Sequence, residues 1–340
     1  MKTKIFSFII IIAVTLIGCS KSEKQNNAGI IDKLEVVDLK GEKIQLEYKF
    51  AKGDQYKYKL ATITTSEESI QTDSTIKSTS NQNVSYVFDV EVIEVDQDKI
   101  AEVSVNISSI NVDANFNGQT IKYDAKAEKS KEDKMKFLEY ETIYNNPFRA
   151  RVNKLGEVIE ISRLDKMIDK MNSLQPQKQN LTPEQKSQLA KNLGDAALRP
   201  LTQLIFREMP KNSVAKDSSW VKKYPGQISV FQSDNTAKFT VLDFVKYNGD
   251  NAAKISADLS VIWSGNKKGE ENGVKYSFDD PKAGGGGIII FNIEEGKMVK
   301  AETSTQLEIG VQIQAKDALQ RTQKTYRKEI STNKNIVELL

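Results

Sequence analysis

The chain has no histidine and a single cysteine, Cys19, in 340 residues. Without His it lacks the side chain most often used for general acid and base work, and also the commonest transition-metal ligand. One thiol can build neither an internal disulfide nor a cysteine cage for zinc. Ser-His-Asp and Cys-His triads and the usual zinc sites are therefore excluded, and no cofactor or metal is expected. A charge excess of one sign is also missing: 49 Lys and Arg stand against 46 Asp and Glu, and two of the basic residues, Lys2 and Lys4, sit at the extreme N-terminus. General nucleic-acid binders carry a basic excess on one face, so no nucleic-acid partner is expected. Nor does any apolar run reach the ~20 residues that a transmembrane helix needs.

The first thirty positions have a definite layout. Met1-Lys2-Thr3-Lys4 is basic and residues 5 to 17 are almost purely apolar, the pattern of a secretory signal peptide. The run closes on Leu16-Ile17-Gly18-Cys19, which resembles the lipobox of bacterial lipoproteins. That resemblance implies recognition of Leu16, Ile17 and Gly18 by the signal peptidase, cleavage after Gly18, and acylation of the Cys19 thiol and the new amine. Each methylene buried in a bilayer contributes about 0.8 kcal/mol, so several acyl chains anchor a protein without spanning the membrane. Residues 19 to 30 are polar and read as a tether. Ser20, after the lipidated position, implies outer-membrane sorting, with the domain facing periplasm or cell surface.

Beyond the tether, alternating apolar and polar residues mark half-buried strands. Val84, Tyr86, Phe88, Val90 and Val92 share one face, as do Ala101, Val103, Val105 and Ile107. With turn chemistry at residues 96 to 99, they predict a β-hairpin. The construction returns in residues 238 to 247 and 253 to 263, around Asn248-Gly249, with Ala253, Ile255, Ala257, Leu259, Val261 and Trp263 in alternation. Three further landmarks recur in order: residues 52–56 and 216–220, 117–123 and 272–276, 148–161 and 288–301. The last pair are strand, glycine turn, strand, turning at Gly156 and Gly296. The order of these landmarks suggests an internal duplication. Residues 303 to 314 and 327 to 339 predict closing strands.

Leu164, Met167, Ile168, Met171 and Leu174 follow helical spacing. Thr182, Pro183 and Gln185 form a start signal for a second helix, as N-cap, first helical position and capping-box residue. Gly194 is expected to interrupt that helix, Pro200 to kink or restart it, and Pro210 to end it. The expected class is α+β, mainly antiparallel β: two related β-meanders, as curved sheets or half-barrels, joined by a central helical segment. The expected divisions are a signal peptide (1–18), a tether (19–30), a first meander (31–161), the helical segment (162–209) and a second meander (210–340).

Motifs that point to chemistry are sparse. Gly284 to Gly287 lack the Gly-Lys-Ser or Gly-Lys-Thr of a phosphate loop and are expected to form a flexible loop entering a strand. The Ser-x-x-Lys matches at Ser74–Lys77 and Ser219–Lys222 do not stand at helix starts, as acyl-transfer enzymes require. Asp96 with Asp98, Asp279 with Asp280, and Glu294 with Glu295 fall in expected turns, where acidic residues serve the backbone. No catalytic residue is assigned. Tyr56, Phe88, Trp220, Phe239 and Trp263 are candidates for an apolar pocket, with ordinary core packing as the alternative.

The lipobox, the paired starts at residues 52–56 and 216–220 and the strand-glycine-strand endings together resemble uncharacterised bacterial lipoprotein families of unknown function, over roughly residues 45 to 340. More distantly, a meander with interposed helices is similar to periplasmic lipoprotein-carrier half-barrels, which hold acyl chains in an apolar concavity; the duplication and the extra length depart from that pattern. The leading expectation is a non-catalytic envelope protein, partnered with the membrane through Cys19, that binds a lipid or other hydrophobic envelope component. The alternatives are a scaffold or accessory subunit that contacts another envelope protein, and a carboxylate-dependent hydrolase.

Overall fold

The computed structural model describes residues 34–340, apart from 229, 272, 317 and 318. Leu16, Ile17, Gly18 and Cys19, with the signal peptide and the tether, lie outside the described residues.

The alternating segments become long strands. In the first half these are β1 (Gln55–Gln71), β2 (Thr75–Val95), β3 (Ala101–Phe116), β4 (Gln119–Asp124), β5 (Phe148–Val152) and β6 (Val158–Ser162). In the second half they are β7 (Ser219–Ile228), β8 (Phe231–Tyr247), β9 (Asp250–Gly265), β10 (Lys268–Glu271), β11 (Val274–Phe278), β12 (Lys282–Asn292), β13 (Lys297–Lys316) and β14 (Thr322–Leu339). Asn248 and Gly249 both take positive φ, 50° and 98°, the two-residue turn that matches the twist of a hairpin.

Instead of two joined meanders, the strands form one large curved antiparallel sheet that does not close. Its order is β6-β5-β3-β2-β1-β14-β13-β12-β9-β8-β7, with β4 on β3 and the β10–β11 hairpin attached to β13. The chain enters mid-sheet at β1, walks out to β6, crosses through helices to β7 and walks back until β14 pairs with β1. That seam runs from Tyr58 opposite Leu339 to Gln71 opposite Tyr326. It satisfies backbone groups that two separate meanders would each leave open along an edge.

Directly opposed residues share a face. Tyr58, Leu60, Phe88, Val90, Val105, Phe148, Val337, Ala301, Ile289, Ile255 and Phe239 bury the inner face near the end of the sheet that holds the 96–100, 153–157 and 293–296 turns. Residues 34–50 wrap around that end. Val37 and Lys246 form backbone bonds with Phe244 and Glu35 along the edge of β8 beyond β7, whereas Leu46 and Tyr48 are buried. The Tyr48 N–H donates to the Lys154 carbonyl at 2.7 Å, and that of Lys49 to the Gly296 carbonyl at 3.1 Å. The segment thereby links the turns at Gly156 and Gly296, and Tyr48, Phe50, Tyr58, Phe206 and Phe291 make one aromatic cluster behind it.

Helices cover part of the inner face. α1 (Lys131–Lys136) and α2 (Leu138–Ile143) precede β5, inside the stretch expected to be a first meander. Both are too short to show helical periodicity in the sequence. α3 (Asp165–Leu174) buries Met167 and Ile168. α4 (Pro183–Leu193) begins with the expected capping box of Thr182 and Gln185. Gly194 does not break it: the helix passes through a π-turn, Gly194–Leu198, into α5 (Arg199–Ile205), with Pro200 in the first turn of α5. α5 ends short of Pro210.

The four glycines are also not a loop. They lie inside β12, all four paired with β13 and Gly285 to Gly287 also with β9. A Cβ at Gly287 would lie 1.9 Å from the Glu302 carbonyl oxygen, so the close approach of β13 requires glycine there.

Candidate functional site

Polarity on the inner face changes with distance from the buried end. Beyond Ala301 and Val337, the same alternation presents Thr303, Thr305, Asn335, Asn235 and Ser233, all buried. Farther along β13, Leu307, Ile309, Val311 and Ile313 are only half-buried, beside Tyr276 and Phe278 of β11. Phe278 meets Phe231 edge-on at 5.5 Å, and Phe231 meets Trp263 at 6.2 Å. Three zones therefore follow one another: apolar core, buried polar band, half-open apolar and aromatic surface.

Arg207 is set into the polar band. Its main chain is clamped: the Tyr48 hydroxyl donates to its carbonyl oxygen at 3.1 Å, and the Met209 N–H to the Leu155 carbonyl at 2.8 Å. Its side chain is one of the most deeply buried charged groups among the described residues, with the whole residue 3% exposed. Nη2 donates to Thr303 Oγ1 at 3.4 Å, whereas Nε has no partner. No carboxylate among the described residues pairs with it, because the adjacent Glu208 is taken by Lys222 of β7. Burial pushes the guanidinium down to about 10, against the opposing influence of Tyr48 and Tyr224, and at neutral pH it remains a cation. Asn235 Oδ1 and Trp220 Nε1, on the inner face of β8 and β7, are likewise buried without partners. Such a surface can hold an anion and, next to it, an apolar chain.

The candidate pocket residues share the inner face. Tyr56 and Phe88 lie in the core of the first half, and Phe239 in that of the second. Trp220 stacks on Phe239 with ring centres 5.4 Å apart, and Trp263 stands at the aromatic end of β9. Two grooves, of about 640 Å³ beside α4 and about 350 Å³ over β2–β4, are lined by other residues.

The acidic pairs remain apart. Asp96 Oδ1 accepts from the N–H groups of Asp98 and Ile100, both at 2.9 Å. Asp279 accepts from the Tyr326 hydroxyl at 2.6 Å, and Glu294 from the Asn251 N–H at 3.0 Å. Among the described residues no three candidate metal ligands gather. Ser219 and Lys222, three apart on an extended strand, point to opposite faces.

Residues 98–296, more than half of the chain, match a family of unknown function (DUF6263). The chain belongs to that family. No curated protein matches this DUF6263 member in sequence. Among solved structures, it is similar to the lipovitellin chain described under "lipid-protein interactions in lipovitellin", at 10% identity and TM-score 0.43, over 86% of this chain and 25% of that one. It thus spans a quarter of the lipovitellin chain. OccK2 (OpdF) of Pseudomonas aeruginosa aligns at 5% identity and TM-score 0.19 over 85% of this chain and 100% of its own. An outer membrane channel of Pseudomonas putida F1 aligns at 7% and 0.17 over 87% and 98%. None of these likenesses reaches the level of a shared fold.

Arg207 was not singled out from the sequence of this DUF6263 chain, since it follows a helix end and has no periodic neighbours. The polar band did leave a signal: Ser233 and Asn235 are in frame with Phe231, Ala237 and Phe239, and Thr303 and Thr305 with Ala301 and Leu307.

Proposed function

We propose that this protein is a non-catalytic envelope lipoprotein, anchored through Cys19, whose sheet binds a lipid or other hydrophobic envelope component along its inner face. One observation carries the reading: Leu307, Ile309, Val311 and Ile313 continue the inner face of β13 yet stay half-buried, where the same face below is fully buried. Apolar side chains aligned over that length, with Trp263, Tyr276 and Phe278 beside them, offer an acyl chain a continuous surface. A duplicated meander supports a site built from equivalent halves. β-bulges recur at matching places, at Ile93 and Leu242 in the first hairpins and at Ile159 and Val299 after the glycine turns.

The test is mass spectrometry of solvent extracts from protein purified out of membranes, combined with displacement of a fluorescent fatty acid. The expected result is a co-purifying lipid, and a displacement signal lost in Ile309→Asp and Val311→Asp. Extracts free of lipid, together with no displacement, would refute the reading.

A further inference from the structure

We propose that Arg207 anchors an anion-binding site on the inner face of the sheet, taking the carboxylate or phosphate end of an amphiphile. The location of its chain along β13 rests on the function proposed above. The anion site itself stands on Arg207 alone.

A buried ion without a counter-ion is among the most costly features a fold can carry. Proteins relieve it by pairing, by letting the long side chain reach water, or by leaving the charge for a ligand to meet. Pairing does not occur among the described residues, because Glu208 is held by Lys222. Reaching water is opposed by the clamp on the main chain, where Tyr48 and the Gly156 turn hold the Arg207 carbonyl in place. The Met209 N–H donates to the Leu155 carbonyl at 2.8 Å, so the segment cannot turn outward without breaking its bond to the 153–157 turn. What is left is a preorganised guanidinium with Nη2 on Thr303 and Nε unengaged, the planar fork that matches a carboxylate or phosphate.

The surroundings fit the same ligand. Trp220 Nε1 is a second buried donor without a partner. From Thr303 the inner row of β13 runs through Thr305 to Leu307, Ile309, Val311 and Ile313, so a ligand head at Arg207 would direct an attached chain onto the half-buried apolar surface. Polar head and apolar tail would thus follow the order of the zones on the sheet.

The test uses the full chain in non-ionic detergent, with decanoate, decanol and inorganic phosphate as probes, read by titration calorimetry and thermal unfolding at pH 7. Decanoate is expected to bind about tenfold or more tightly than decanol, the discrimination of one charge-assisted contact. Arg207→Met is expected to fold, to keep decanol binding and to lower decanoate to the decanol level, while Arg207→Lys retains part of the preference. Phosphate binding that disappears in Arg207→Met supports the site with a free anion as its occupant, and if decanol then fails to bind, the apolar reading falls and the anion site stands. Equal binding of decanoate and decanol by the unaltered protein, unchanged anion binding in Arg207→Met, or no anion binding at all would each overturn the site. Decanol binding would leave the apolar reading intact in those cases. If Arg207→Met fails to fold by circular dichroism, the unaltered protein and Arg207→Lys still decide the outcome.

Discussion

The Tyr48 hydroxyl donates to the Arg207 carbonyl oxygen across 3.1 Å, and both residues are buried. This contact joins a segment before the first strand to one following the last helix, 159 positions away. Tyr48→Phe removes the donor and leaves a buried carbonyl without its partner, an expected loss of about 1–2 kcal/mol. Tyr48→Ala also empties the aromatic cluster with Phe50, Phe206 and Phe291, an expected loss of about 3–5 kcal/mol. Urea unfolding with an unchanged slope checks both values, and a Tyr48→Ala protein as stable as the original would show that the N-terminal segment does not hold the core.

Two glycines, each in a turn between two strands, receive that segment. Gly156 and Gly296 have φ of 86° and 63°. A Cβ at Gly296 would lie 2.6 Å from the Lys49 nitrogen, and one at Gly156 would lie 2.5 Å from the Tyr48 ring. Gly156→Ala and Gly296→Ala combine left-handed strain with collision and are each expected to cost about 2 kcal/mol or more. Gly53→Ala, at φ 90° with open space around it, carries the strain alone and is expected to cost about 1 kcal/mol. Equal midpoints for all three variants in thermal unfolding would refute the close contact.

Alkaline pH is the third probe. Burial raises the phenols of Tyr48, Tyr58 and Tyr86 well above the ordinary range and pushes Tyr140 up to about 12. Its hydrogen bond to Asp279 pushes Tyr326 up to about 12 as well. A raised folded value means that the folded state holds the proton more tightly. The stability from these groups is therefore complete below the ordinary tyrosine value of about 10 and is lost as pH rises through 12 and beyond. Phenolate absorbance is expected to lag behind that of free tyrosine and then to rise together with the loss of near-ultraviolet circular dichroism. Stepwise ionisation of most tyrosines near pH 10 without unfolding would contradict this burial.

Much of the strand pattern was legible because alternation survives at any curvature. Phe88 and Val90, or Ile255 and Ala257, face inward as their spacing required. The Asn-Gly turns and the Thr182 capping box rest on chemistry within a few residues, and they appear where that chemistry put them. Gly284 to Gly287 misled for the same reason: glycine signals a loop locally, whereas here it answers to the backbone of β13, a neighbour that local sequence does not name. The helices around residues 131 to 143 escaped notice because one or two turns do not establish a period.

The sequence by itself determined the elements with short-range causes: strand alternation, tight turns and helix starts. The lipobox-like order of Leu16 to Cys19, from which the lipid anchor is proposed, is equally local. Only the tertiary structure decided that β14 returns to pair with β1, so that two meanders become one sheet. It also decided that Arg207 is carried into the sheet with no carboxylate among the described residues to meet it. Both depend on contacts between residues more than ninety positions apart, Tyr58 with Leu339 and Arg207 with Thr303, which the return of the chain to mid-sheet and the curvature of the sheet bring together and no local spacing encodes.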